Sequence, residues 1–188
     1  MANIVPAEQQ SGNLTNHGAV VVDNEITFSS DQIYLEFAQA DKPSGFWTDS
    51  NNWIIDFVLT KSNDSMQTII CSGAGDWPVT YMTGGTLNVA DTTGNNTIDI
   101  SDIQIAERFV YTIEHTASGD LNYYVNGTKK RTINSSSIFD IRTYGVRIGA
   151  YGSDGRYLHT GLRCIRIRNS APYQGSDFES DLMFLCSL

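Results

Sequence analysis

Residues able to do chemistry are sparse in this chain, and their spacing limits what they can do. Retaining hydrolysis of a glycosidic bond needs two carboxyl groups about 5–5.5 Å apart, one as nucleophile and one as acid. On a strand, such a pair sits two or four residues apart on one face. The nearest match is TIDISD at 97–102, where Asp99 and Asp102 are three apart and a regular strand sends them to opposite faces. Asp23 and Glu25 are two apart, but at a turn. His17, His115 and His159 are far apart, and none adjoins a nucleophile motif. His115, on the face of Phe109, Tyr111 and Ile113, reads as a satisfied structural histidine. There is no His-x-His, Cys-x-x-Cys or Asp-x-Asp-x-Asp-Gly spacing. No catalytic residue and no metal-ligand set is therefore assigned.

Sugar binding asks for less. An aromatic face covers the apolar side of a pyranose, and Asp, Asn or Arg beside it takes the hydroxyls. Three loops have that composition: GFWTD at 45–49, GDW at 75–77 and YGSDGRY at 151–157. They nominate Trp47, Trp77, Tyr151, Asp154, Arg156 and Tyr157 as ligand-binding residues. The blander reading is that these aromatics cap the ends of a sandwich. A second feature is the arginine run of the late strands. Arg163, Arg166 and Arg168 sit in a strand whose Ile165 and Ile167 should face the core. Arg166 and Arg168 then share the outward face with Cys164. Such a ladder suits a contact with another protein subunit, and equally an edge strand that uses charge against aggregation.

The elements that must hold these residues are strands. LNYYVNGT at 121–128 ends in Asn-Gly, the strongest short-range hairpin signal, because a type I′ turn needs positive φ at both central residues. One strand ends at Val125 and the next starts at Thr128. WIIDFVLT at 53–60 is the most apolar run and should be central. Further strands are expected near 19–22, 25–28, 32–37, 68–71, 86–89, 97–100, 108–115, 144–150 and 162–168. SGAGDWP at 72–78 is expected to break the chain. This spacing, with Gly, Asn, Asp and Ser between strands, is that of a sandwich. DLMFLCSL at 181–188 reads as a strand or a short helix.

The chain has 188 residues, 40% hydrophobic and 18% charged, enough for one globular domain. Residues 1–18 are polar and read as an arm, and 19–188 as a single domain. The net charge of −9 disfavours nucleic acid. No apolar stretch approaches the roughly 20 residues of a membrane helix, and the start lacks the pattern of a secretory signal. Synthesis in the cytosol without a signal peptide is expected, with Cys71, Cys164 and Cys186 as reduced thiols. The charge is split. Through residue 128 there are three basic and sixteen acidic residues; from 129 to 168 there are nine basic and two acidic. Basic late strands pairing with acidic early ones in one sheet is the plain explanation; a two-signed docking surface is the other.

In order, FSSDQIYLEF, WIIDFVLTK, RFVYTIEHTASGDLNYYVNGTKK and VRIGAYGSDGRYLHTGLRCIRIRNSAP resemble the concanavalin A-like lectin/glucanase superfamily, and within it the laminin-G-like jelly rolls. The likeness spans about residues 25–172, with Ile148-Gly149 and Gly161-Leu162 at matching places. It implies an all-β, two-sheet antiparallel jelly-roll sandwich. The superfamily's hydrolases carry Glu-x-Asp-x-Glu on a strand, which is missing here. Laminin-G-like relatives often hold calcium at a loop rim, so Asp99, Asp102 or Asp154 could take part; no other cofactor is implied. The expected function is a non-catalytic binding or assembly module. Its context fits a virion surface component, such as a phage capsid decoration or tail-associated protein, that touches neighbouring subunits and binds glycans. A lectin-like carbohydrate-binding module and a glycoside hydrolase or lyase are the alternatives.

Overall fold

The apolar run at 53–60 lies where its pattern demands. As β5 (Trp53–Thr60) it is the middle of seven strands, between β10 (Arg108–His115) and β14 (Leu162–Arg168). Past β10 the sheet continues through β11 (Asp120–Val125) to β12 (Thr128–Asn134); past β14 it runs through β3 (Glu25–Thr27) to β2 (Val20–Val22). A second seven-stranded sheet is ordered β1 (Leu14–Asn16), β4 (Leu35–Phe37), β13 (Val146–Ile148), β6 (Gln67–Ser72), β7 (Asp76–Thr83), β8 (Thr86–Asp91) and β9 (Gly94–Ile98). Every recorded pairing is antiparallel. The computed structural model describes residues 14–23, 25–30, 32–42, 46–48, 51–62, 66–73, 76–91, 94–134, 145–151, 156–159, 161–169, 173 and 175–177, with backbone alone for Gln39, Asp76, Trp77 and Asp91.

The two sheets form the jelly-roll sandwich expected from the strand spacing. Trp53, Ile55, Phe57, Phe109 and Tyr111 meet Ile70, Met82, Leu87, Val89 and Ile148 in one buried cluster. Burying side chains of this size stabilises by about 1.5–3 kcal/mol each. At one end Phe46, Trp47 and Trp53 pack ring on ring, and His115 stacks on Trp53 with centroids 5.4 Å apart. His115 is fully buried, and its Nδ1 donates to the Asn51 carbonyl at 2.7 Å. It is the structural histidine its pattern suggested.

The Asn-Gly hairpin forms as read. Asn126 has φ 49° and Gly127 φ 81°, and Val125 pairs with Thr128. Gly149 is fixed by space as well as by its φ of 92°, since a Cβ there would lie 2.4 Å from the Phe28 ring.

The split charge resolves within the fold. Arg108 pairs with Glu25 at 3.2 Å and Arg147 with Glu36 at 3.1 Å. Asp56, 1% exposed on the outer face of β5, takes both late arginines: Arg166 Nε at 2.9 Å and an Arg168 terminal nitrogen at 3.1 Å, both on Oδ2. The Thr112 hydroxyl donates to Oδ1 at 2.7 Å. Beside it Glu114 is fully buried. Its Oε2 accepts from Tyr124 (2.7 Å), Asn122 (3.1 Å) and the Gly175 amide (3.2 Å), and its Oε1 from the Tyr173 amide (2.8 Å). Arg168 also donates to the Tyr173 hydroxyl at 2.9 Å. Tyr173 and Gly175 thus lie over this outer face.

Two readings need revision. Cys164 is disulfide-bonded and only Cys71 is a free thiol among the described cysteines, because pairing cannot be deduced from cysteine spacing. The break expected at 72–78 is shorter: β7 begins at Asp76, runs through Pro78 and takes in 79–83, where no strand was expected. Within residues 1–18, Leu14–Asn16 is an extended segment that pairs with β4. The segment 181–188 and the arm before residue 14 lie outside the described residues.

Two outcomes follow. Asp56→Ala leaves two arginines on a covered face without their carboxylate, so chemical denaturation should show a loss of about 3 kcal/mol. A loss under about 1 kcal/mol would mean that the ladder is solvated. Burial raises the Tyr111 phenol; burial and then the Glu114 carboxylate raise that of Tyr124. Both native values lie above the unfolded one near 10, so the stabilisation is complete below about pH 10 and declines as pH rises further. Absorbance at 295 nm should show two of the nine tyrosines ionising only on unfolding. Nine phenols titrating together in folded protein would contradict this.

Candidate functional site

Strand register lays out a two-row floor on the outer face of β6–β9. Cys71 pairs with Val79, Val79 with Ala90 and Ala90 with Asn95. Two residues along on β7, β8 and β9, and three along on β6 where a bulge between Thr68 and Ile70 takes up the extra residue, Thr68 pairs with Tyr81, Tyr81 with Asn88 and Asn88 with Thr97. Side chains on one face of a sheet recur every second residue, so both rows point the same way. The first row is apolar over most of its length; the second is mostly hydroxyls and amides.

A rim stands over this floor. Met66 precedes β6, and the chain leaving β13 runs alongside β6 at both ends of a loop. Gly149 N–H donates to the Ile69 carbonyl at 3.0 Å, Thr68 N–H to the Arg156 carbonyl at 3.2 Å, and Leu158 N–H to the Gly149 carbonyl at 2.7 Å. The Cys71 thiol donates to the Ala150 carbonyl at 3.3 Å. These bonds fix Tyr151 and Arg156 above the sheet, with the guanidinium carbon 5.3 Å from the Tyr151 ring centroid, a cation–π arrangement. The result is a dish of about 130 Å³ lined by Met66, Thr68, Val79, Tyr81, Ala90, Asn95, Tyr151 and Arg156. The Thr68 hydroxyl in its floor is fully buried and makes no hydrogen bond within the protein. A buried hydroxyl without a partner is unfavourable by about 1–3 kcal/mol, which a bound polar group would relieve.

The residues nominated from sequence separate. Tyr151 and Arg156 come together at the dish. Trp47 is 3% exposed with positive φ (57°), lies ring on ring with Phe46 and Trp53, and its Nε1 donates to Ser72 Oγ at 2.8 Å. It offers no face to a sugar; it caps the core. Tyr157 packs against the core and stacks on His159 at 4.2 Å. Asp154 and the Trp77 side chain lie outside the described residues. Arg166 and Arg168 are committed to Asp56, and Arg163 is partly exposed on the same strand. Sequence reading missed Thr68, Val79, Tyr81, Ala90 and Asn95. Their signal was the alternation of Val79 and Tyr81 in VTYMT, hidden behind Pro78.

Among the described residues no three His, Cys, Asp or Glu side chains gather as a metal site. Asp99 accepts the Ser101 amide at 2.9 Å, a bond that holds its carboxyl below the usual range, and Asp102 pairs with Lys130 at 3.5 Å. The buried carboxylates Asp56 and Glu114 lie under Tyr173 and Gly175 and accept from the chain's own donors.

No family model and no curated protein matches the chain. Solved structures match its fold. The receptor-binding domain of a botulinum neurotoxin C/D mosaic serotype superposes with TM-score 0.62 at 14% identity, over 93% of this chain and 46% of that one. A CBM40 from the Ruminococcus gnavus IT-sialidase, solved with α2,3-sialyllactose, gives 0.55 at 12% identity, over 82% and 94%. A structure of botulinum neurotoxin type C, whose cell entry depends on interaction with two ganglioside molecules, gives 0.53 at 14%, over 95% and 45%. The chain therefore spans a little under half of the toxin domains it matches, and about the whole of the sialidase module.

The two aromatic loops should answer truncation differently. Trp47→Ala opens a core cavity and should lower stability by about 3–5 kcal/mol in thermal or denaturant unfolding. Tyr151→Ala, on a partly exposed rim, should change it by less than about 1 kcal/mol. Equal effects would refute the assignment of one ring to the core and the other to the rim.

Proposed function

We propose that this domain is a non-catalytic carbohydrate-binding module, and that the dish on the outer face of β6–β9 is its glycan site. The observation that carries this is the Tyr151–Arg156 pair standing over a floor that mixes apolar groups with a buried, unpartnered Thr68 hydroxyl. Tyr151 and Tyr81 supply ring surface for sugar C–H groups. Arg156 and Asn95 supply polar groups for hydroxyls. The glycans named with the sialidase module and the type C toxin agree with this reading, as does the resemblance to concanavalin A-like lectins. The assembly reading drew on the polar arm, the split charge and the arginine run, and it has less support with Arg166 and Arg168 paired to Asp56 inside the fold. Binding rather than cleavage also accords with carboxylates buried beneath the chain's own residues.

A glycan array probed with the whole chain tests the reading. Tyr151→Ala and Arg156→Ala should each weaken binding of the best hits at least tenfold, with the melting temperature unchanged. An array without hits, or hits indifferent to both substitutions, would overturn it.

A further inference from the structure

We infer that the group seated in the dish is an acetamido substituent, so that the module selects N-acetylated sugars. This rests on the glycan reading above and specifies which part of the glycan the site takes.

Size comes first. At about 130 Å³ the dish is close to the roughly 150 Å³ cavity that admits benzene, and well below the roughly 300 Å³ at which sites for larger ligands begin. A whole saccharide does not fit, but a planar group of four heavy atoms does. The chemistry of the floor then selects the group. The Val79–Ala90 row presents methyl groups, and Met66 and Tyr81 add apolar surface beside it. Hydroxyl substituents, which every sugar carries, gain nothing from such a row. The buried polar partner in the floor is Thr68, with an unused hydroxyl that both donates and accepts. A ligand group matched to this floor needs an apolar end for Val79 and Ala90 and, two or three bonds away, an amide for Thr68. An acetamido group has both: its methyl lies over the apolar row, and its carbonyl accepts from, or its N–H donates to, the Thr68 hydroxyl. Asn95 closes the apolar row at the β9 end and offers the second amide contact. The pyranose ring then rests outside the floor, against Tyr151 and Arg156.

Saturation-transfer NMR on the whole chain, with N-acetylglucosamine and N-acetylgalactosamine against glucose and galactose, tests this. At least one N-acetylated probe should bind ten or more times tighter than its hydroxyl counterpart, with the strongest transfer at the acetamido methyl. Thr68→Val, which removes a hydroxyl with no bond in the protein, should weaken that probe about tenfold and leave the melting temperature unchanged or raised. Ala90→Leu, which fills the floor, should abolish the methyl signal while the circular dichroism stays that of the β-sandwich. Equal binding within each pair, transfer centred on ring protons, or a Thr68→Val variant that binds as well as wild type overturns the inference and leaves glycan binding standing if the array has hits. No binding of any probe overturns it too, and the array then decides separately whether the dish takes sugars.

Discussion

A carboxylate on the non-core face of the central strand governs how this molecule is closed. Asp56 stands between Ile55 and Phe57, both of which enter the sandwich, so its own side chain must leave on the other side. Yet it is 1% exposed. A desolvated carboxylate is tolerated only with several good donors, since losing the hydration of an ion is worth several kcal/mol. Arg166, Arg168 and Thr112 are those donors, and each occupies an alternate position on a strand flanking β5. The Asp56 requirement therefore explains why β14 alternates Arg with Ile. It also explains why Arg168 reaches on to Tyr173, which brings Tyr173 and Gly175 over the face and gives Glu114 its amide donors.

The consequence is a molecule whose two outer faces have different chemistry. Over the β5 sheet, carboxylates, guanidinium groups, phenols and amides satisfy most of one another's bonds, with the buried Arg168 Nε left over. A face arranged in this way has little left to offer a partner. Over β6–β9 the side chains are smaller and less connected, and one hydroxyl has no partner at all. A site for a ligand is more easily built where the chain leaves polar groups unmatched than where it matches them.

How much of this was legible in the sequence differed by scale. The all-β class, the central place of 53–60, the Asn-Gly hairpin and the inward Ile165 and Ile167 all follow from period-two patterning and one turn dipeptide. Those signals are local. The pairing of late arginines with an early aspartate was expected in kind, from the charge split, but nothing in the sequence singled out Asp56. The site was half legible. Tyr151 and Arg156 share one loop, so composition marked both. Thr68, Val79, Ala90 and Asn95 come from four strands brought side by side by register, which a single sequence does not print. Trp47 misled for a related reason. It sits in a loop, where aromatics are more often exposed, but tertiary packing turned that loop inward onto Trp53, with a left-handed backbone conformation to do it.

Rigidity links the fold to recognition. The floor of the dish consists of residues locked in a hydrogen-bonded ladder, and the rim is tied to β6 near both ends, at Gly149 and Arg156. The loop cannot begin elsewhere, because Gly149 lies against Phe28 too closely for any Cβ. Binding therefore orders few side chains, and little of the interaction free energy is lost to immobilising them. A site this small still gains only the contacts of one substituent, so its affinity for a single residue is bounded by a handful of atoms. Discrimination is a different quantity. It depends on the difference between a group that fits the apolar row and meets Thr68, and one that leaves that hydroxyl buried and unmatched. A shallow dish with one buried polar group is suited to distinguishing sugars that differ at a single position, even where it holds each of them weakly.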